Sequence, residues 1–313
     1  DCERLRTTMS PTRVPRTLIL SDLHLGRPDA AGRADAFEPL LADFDRVIVN
    51  GDVAELHHAA FQADARLELD RFSEICHTRG TRLDLLAGNH DPFVSELRAL
   101  TLADGAIYIT HGDAFHPAVA PWSPRASVMR RAFDQAIAGS PADAPEDEVR
   151  FNAAREASLA EWRALGDGAH VSTLASMALR PARIATVLRY WASFPMLSAE
   201  WAARFSPRAG TVIVGHSHRA FHRKLLGRHI VNTGAYSFPG RPHAVVVEGS
   251  TVRMHAVIRR GHMFALAPDA RAAWPIAFHD AAAASVRGDQ REASTCVMND
   301  AAAASAARSI EVR

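Results

Sequence analysis

Five short apolar runs in this chain each stop at residue types that bind metal ions. Thr17-Leu18-Ile19-Leu20 leads to Asp22-Leu23-His24, and Val47-Ile48-Val49-Asn50 leads to Gly51-Asp52. Leu83-Asp84-Leu85-Leu86 leads to Gly88-Asn89-His90-Asp91, and Ile107-Tyr108-Ile109-Thr110 leads to His111-Gly112-Asp113. The fifth run, Thr211-Val212-Ile213-Val214, leads to Gly215-His216-Ser217-His218. Short apolar runs bounded by Gly, Asn or Asp are candidate buried strands. Open α/β sheets bind ligands just beyond the carboxyl ends of their strands. One such cluster constrains little, but five require a fold that brings five strand ends to one place.

The spacing between the runs supports such a fold. Candidate strands at 17–21, 46–50, 82–87 and 105–110 alternate with predicted helices at 34–43, 61–79 and 94–103, the pattern of a layered α/β protein. From 211 onward the expected strands are 211–215, 220–226, 228–232, 243–249 and 251–258. Turn residues at Leu226-Gly227-Arg228 and Glu248-Gly249-Ser250 make these antiparallel hairpins. Between the two halves, 116–208 is rich in Ala, Arg and Leu and holds four of the five tryptophans, Trp122, Trp162, Trp191 and Trp201. Breaks at Gly139-Ser140-Pro141, Gly166-Asp167-Gly168, Pro181 and Pro195 divide it into helices, and it reads as a helical insertion closing over or beside the site. The expected domain is therefore 17–258, interrupted by 116–208, with an N-terminal extension at 1–16. The Ala-rich tail, 279–313, has no periodic apolar face and is expected to be disordered.

Composition excludes several classes. A net charge of +1 gives no whole-chain attraction to nucleic acid, and no nucleic-acid partner is expected. Lys224 is the only lysine, so the abundant arginines reflect a chain-wide bias, and no single arginine counts for much. Cys2, Cys76 and Cys296 are scattered and odd in number, which implies no disulfide framework and fits a reducing, cytoplasmic location. Residues 1–16 lack the apolar core of a signal peptide, and Met9 is a candidate start. No apolar stretch approaches the roughly 20 residues a membrane span needs.

Asp22, His24, Asp52, Asn89, His111, His216 and His218 make a mixed oxygen and nitrogen ligand set. Such a set suits Mn²⁺ best, with Fe or Zn²⁺ as alternatives. Seven ligands exceed the needs of one ion and suffice for two ions about 3.5–4 Å apart when one carboxylate is shared. A hydroxide bridging two such ions is a nucleophile at neutral pH. Asp91 and Asp113 are expected to brace their loops and the neighbouring imidazoles. His57, His58, His116 and His222 lie near motif loops, and Arg27 is close enough in sequence to reach a phosphate.

Taken in order, Asp-x-His, Gly-Asp, Gly-Asn-His-Asp, His-Gly-Asp and Gly-His-x-His resemble the motif set of the calcineurin-like metallophosphoesterase superfamily, over roughly 17–115 and 210–258. The resemblance implies a four-layer α/β/β/α sandwich with the insertion as a lid. It also implies metal-dependent hydrolysis of a phosphodiester or pyrophosphate bond. By the same resemblance, Asp22, His24 and His218 would hold one ion, Asp52 would bridge, and Asn89, His111 and His216 would hold the second. His90 would face the substrate and protonate the leaving oxygen. In many members an aspartate three residues after the bridging one orients that histidine, and here the position is Glu55.

Within the superfamily, Ser21-Asp22-Leu23-His24-Leu25-Gly26 and the insertion most resemble the UDP-2,3-diacylglucosamine diphosphatase branch. That branch implies a lipid-linked phosphorylated substrate, although it commonly carries Arg where this chain has His90. A nucleotide or broad phosphodiesterase is the alternative enzyme. A protein-binding scaffold of the same fold is the alternative from another class, disfavoured because every ligand position is filled. Segment 169–208 carries Arg180, Arg183, Arg189, Arg204 and Arg208 against Glu200 alone, beside an apolar stripe of Ile184, Val187, Leu188 and Trp191. Two readings of it stand open: peripheral contact with the inner membrane, or packing on its own domain with a solvated arginine face.

Overall fold

The computed structural model describes residues 14–165, 181–237 and 240–279. The expected N-terminal extension up to 13, the tail from 280 and the insertion's 166–180 lie outside them.

Side-chain alternation along the strands generates the layers. In β1 (Arg16–Leu20), Leu18 and Leu20 belong to one core and Ile19 to another. In β2 (Arg46–Asn50), Val47 and Val49 divide from Ile48 in the same way. A strand that is apolar at every position must be covered on both faces. β3 (Arg82–Leu86) continues the parallel set from β1 and β2. β9 (His243–Glu248), β10 (Thr251–Arg260) and β11 (Met263–Pro275) then extend the sheet antiparallel on the other side of β1. The first sheet thus runs β11-β10-β9-β1-β2-β3.

The second sheet repeats the logic with β4 (Ala99–Leu102), β5 (Ile107–Thr110), β6 (Thr211–Val214), β7 (Phe221–Leu225) and β8 (Arg228–Asn232) in the order β4-β5-β6-β8-β7. β5, β6 and β8 are parallel. Ile107, Ile109, Ile213 and Val231 face the first sheet, while Tyr108, Val212, Val214 and Ile230 face outward.

Helices cover the outer faces. α1 (Glu38–Leu41) and α2 (Gln62–Thr78) lie on the first sheet, α2 presenting Ala65, Phe72, Ile75 and Cys76 at helical spacing. Burying each large apolar side chain there contributes about 1.5–3 kcal/mol. α3 (Ala126–Ala138), α4 (Glu146–Leu165) and α5 (Pro181–Phe205) come from the insertion. Met129, Phe133, Phe151, Phe194 and Trp201 share one core with the outward face of the second sheet. The layers therefore read α/β/β/α, and the insertion supplies the fourth. Among the described residues, no helix is long and apolar enough to cross a membrane.

Three expectations differ from the structure. The break expected at Pro195 falls inside α5, which runs through it. The helix predicted over 94–103 is instead strand β4, with a 3-10 turn at Ala103–Gly105. Leu100 and Leu102 turn toward the central core while Ala99 packs outward, so a two-residue period wins over helix propensity. The expected end of the domain at 258 falls inside β10, and β11 follows as the edge strand of the first sheet.

Candidate metal centre

Parallel strands from both sheets end on the same side of the sandwich, and their loops carry the candidate ligands. Asp22 and His24 follow β1, Asp52 follows β2, Asn89 and His90 follow β3, His111 follows β5, and His216 and His218 follow β6. Five of these, Asp22, His24, Asp52, His216 and His218, hold left-handed backbone, with φ between 49° and 63°. Only four other described non-glycine residues have positive φ, so the sparsely populated conformations concentrate at this centre.

Glycines let the loops close in. A Cβ on Gly88 would fall on the Asp52 carboxylate, and one on Gly51, at φ +78°, on the His111 ring. Asp91 is fully buried and ties two loops together by accepting the backbone N–H groups of Gly88 (2.7 Å), Val53 (2.6 Å) and Asp52 (3.1 Å). Burial and the charge of Asp52 push its pKa up to about 7, against the pull of those amides. Asp113 accepts from the buried Arg98 guanidinium at 2.6 Å.

The structure brings the candidate ligands into two adjoining groups that share Asp52: Asp22, His24, Asp52 and His218, and Asp52, His111 and His216. Asn89 joins the second, with its Oδ1 2.8 Å from His216 Nδ1. His111 Nδ1 meets the backbone carbonyl of Asn50 at 2.9 Å, which can only accept, so this nitrogen carries the proton of the neutral ring. In the neutral ring His111 Nε2 is then left as an acceptor 3.2 Å from Asp52 Oδ2, a buried pair without other hydrogen-bond partners that a further proton or a metal ion would satisfy. In the first group His24 Nε2 lies 3.1 Å from His218 Nε2, and His218 Nε2 lies 3.3 Å from Asp22 Oδ1. Where buried acceptors face one another, as His111 Nε2 and Asp52 Oδ2 do, a cation is needed between them. Separations of 3.1–3.3 Å suit two ligands sharing an ion bound at roughly 2 Å. The donor set fits divalent metal.

Glu55 works behind this group. Its buried carboxylate accepts from His24 Nδ1 at 3.0 Å and from His90 Nδ1 at 2.9 Å. Burial opposes its charge, but the two imidazoles hold it well below the usual carboxylate range. Glu55 thereby points His24 Nε2 at the metal-facing side and orients His90. The described residues also place His24, Glu55 and His90 together as a third group, but both imidazoles there spend Nδ1 on the carboxylate. Arg27, expected to be able to reach a phosphate, instead binds Asp29 (2.9 Å) and Glu55 (3.2 Å).

Three tryptophans of the insertion reach this centre, contacts that their abundance hints at but does not specify. Trp122 packs on His216 with ring centroids 5.5 Å apart. Trp162 meets His90 edge-on at 5.4 Å and His58 at 5.7 Å. Trp191 donates to the Ser217 carbonyl at 2.8 Å, and the exposed Arg219 stacks over its ring at 5.6 Å. Of the nearby histidines, His57 packs on Phe93 and His116 on Tyr190. His222 stacks with His229 and Trp274 at the edge of the second sheet, in none of the groups described above.

No family model matches the sequence, and no curated protein matches it. Among solved structures, the chain is similar to Vps29 from Cryptosporidium parvum, at 14% identity over 84% of this chain and 99% of that one, with a TM-score of 0.41. A predicted phosphoesterase from Streptococcus pneumoniae shows 15% identity over 85% and 99%, with a TM-score of 0.37. The phosphoesterase YfcE from E. coli shows 13% identity over 83% and 99%, with a TM-score of 0.38. Likenesses this distant carry no argument about activity.

Removing Glu55 frees two imidazoles at once. Glu55→Ala should weaken divalent-metal affinity about 10–100-fold, the usual cost of losing a group that orients a ligand, as read by calorimetric titration of the metal-stripped protein. Unchanged affinity would mean that Glu55 does not orient His24.

Proposed function

We propose that this chain is a dinuclear metal-dependent hydrolase of phosphoric esters, cutting a phosphodiester or pyrophosphate bond. The observation that supports this most is the two adjoining ligand groups that share Asp52, whose Oδ2 and the facing His111 Nε2 are buried without a hydrogen-bond partner. The five ordered motifs, which resemble those of calcineurin-like metallophosphoesterases, point the same way. Asp22, His24 and His218 would hold one ion and Asn89, His111 and His216 the other, with Asp52 common to both. Mn²⁺ suits this donor set best. Bound there, two divalent ions supply Lewis-acid polarisation of the phosphoryl group and lower the pKa of water.

The protein's own part in the chemistry falls to His90. It follows Asn89 directly, yet its Nδ1 faces Glu55 rather than the metal-facing groups, and its side chain remains 23% exposed. Burial opposes its charge, but Glu55 and Asp52 push its pKa up to about 9. His90 can therefore bring a proton to the leaving oxygen, while Glu55 holds its ring in place.

For the substrate we favour a lipid-linked phosphate, such as a UDP-diacylglucosamine-like precursor. α5 supports this choice: Ile184 and Leu188 are 43% and 54% exposed, two turns and one turn before Trp191, which is bonded to the loop carrying His218. An apolar helix face beside the metal centre suits acyl chains and equally suits peripheral contact with a membrane.

Elemental analysis of the Mn²⁺-loaded protein should find two ions per chain, and Asp52→Ala should lose both ions and all activity. A fully active enzyme with one ion would sink the dinuclear reading. His90→Ala should lower kcat by about 10²–10⁴ with metal content kept, and less for a p-nitrophenyl ester, whose leaving group hardly needs a proton. Equal losses across leaving groups would remove His90 from that role. Leu188→Ala should raise KM for a lipid-linked diphosphate by about tenfold, the loss expected for one buried side chain, and leave bis(p-nitrophenyl) phosphate turnover unchanged. Parallel losses on both substrates would reduce the stripe to packing.

A further inference from the structure

Val119 lies in the insertion, in the segment between His111 and α3, and holds left-handed backbone at φ +50°. That conformation is unfavourable for a β-branched residue, because both branches crowd the backbone. Val119 is nonetheless buried at 1% exposure, and its N–H donates to the His116 carbonyl at 2.8 Å. The turn directs its own carbonyl at His216 Nε2, 3.1 Å away.

A backbone carbonyl only accepts, and Nδ1 must be free to hold an ion beside Asn89 Oδ1, so on the two-metal reading His216 Nε2 carries the hydrogen. His216 Nδ1 then keeps its lone pair and faces Asn89 Oδ1. Trp122, Tyr190 and Phe194, all from the insertion, pack around the same ring at centroid distances of 5.5–6.2 Å. Glu55 and the Asn50 carbonyl, just after and on β2 of the sandwich, perform this service for His24 and His111. For His216 alone the partner comes from the insertion.

On the two-metal reading of the site, we propose that Val119 is a positioning residue: its carbonyl fixes the tautomer and direction of His216, so that the insertion is a structural part of the second ion's shell. Insertion and second ion then support each other, since whatever moves Val119 changes the affinity for that ion, and the ion in turn holds the insertion in place.

The test uses the full chain stripped of metal and titrated with Zn²⁺ by calorimetry, together with nitrogen NMR of the His216 ring in the metal-free wild type. Val119→Gly keeps the carbonyl where it is and should bind the second ion within about threefold of wild type, whereas Val119→Pro cannot reach positive φ and should weaken that ion about 10–100-fold while sparing the first. The NMR spectrum should show hydrogen on Nε2. Wild-type affinity for both ions in a folded Val119→Pro, or equal weakening of both, would overturn the proposal. So would hydrogen on Nδ1 in the wild type, and that readout decides the matter if Val119→Pro does not fold. A wild-type chain that takes up no second ion would sink the two-metal reading instead, with the tautomer still judging Val119.

Discussion

The Asp52 carboxylate is the group on which the rest of the centre depends. Oδ1 accepts the His90 backbone N–H at 2.8 Å, and Oδ2 faces His111 Nε2 at 3.2 Å. Its own amide is clamped by Asp91 at 3.1 Å. A carboxylate this buried gives up hydration worth several kcal/mol, which only nearby positive charge restores. In the metal-free chain that charge comes from protons. Burial opposes them on His111 and His90, yet Asp52 pushes His111 up to about 10, and Glu55 with Asp52 holds His90 at about 9. A pocket that collects protons against the cost of burial also attracts divalent ions, and the two compete for the same lone pairs.

Such a centre needs a stiff frame, and the sandwich provides one. The left-handed turns at Asp22, His24, Asp52, His216 and His218 are costly conformations that persist only where their surroundings over-determine them. Here each turn starts from a strand sealed on both faces: β1 and β2 lie between the first and central cores, and β6 between the central and outer ones. Bonds across loops then fix the exits, among them Asp22 N–H to the Gly51 carbonyl at 3.1 Å and His24 N–H to the Asp52 carbonyl at 3.0 Å.

Much of this was legible in the residues themselves. Continuous apolar runs such as Val47-Ile48-Val49 announce strands covered on both sides, and the polar residues that stop them announce where the site lies. The stretch Glu96-Leu97-Arg98-Ala99-Leu100 has good helix propensity, and only pairing with β5 makes its end a strand. β11 carries no strand signal in the sequence, because Ala265 to Ala273 lacks β-branched residues. At the site, candidate side-chain ligands can be named from the sequence, but their hydrogen-bond partners often cannot. The carbonyls of Asn50 and Val119 are backbone atoms whose aim depends on φ and ψ, and no residue letter encodes that. The tryptophan contacts are similar, since a helix's own spacing does not say which loop it will dock against.

The order of the motifs along the chain has its own consequence. Asp22 accepts the amide of His216 from 194 residues away, and the whole insertion is threaded between His111 and His216. Contacts so distant close late in folding, after local helices and the first parallel strands have formed. A chain emerging from the ribosome in order presents Asp22, His24, Asp52, Asn89 and His111 long before His216 and His218 exist. The complete set of candidate ligands exists only once synthesis has passed β6, so any ion it holds would arrive after β1, β2 and β3 are made.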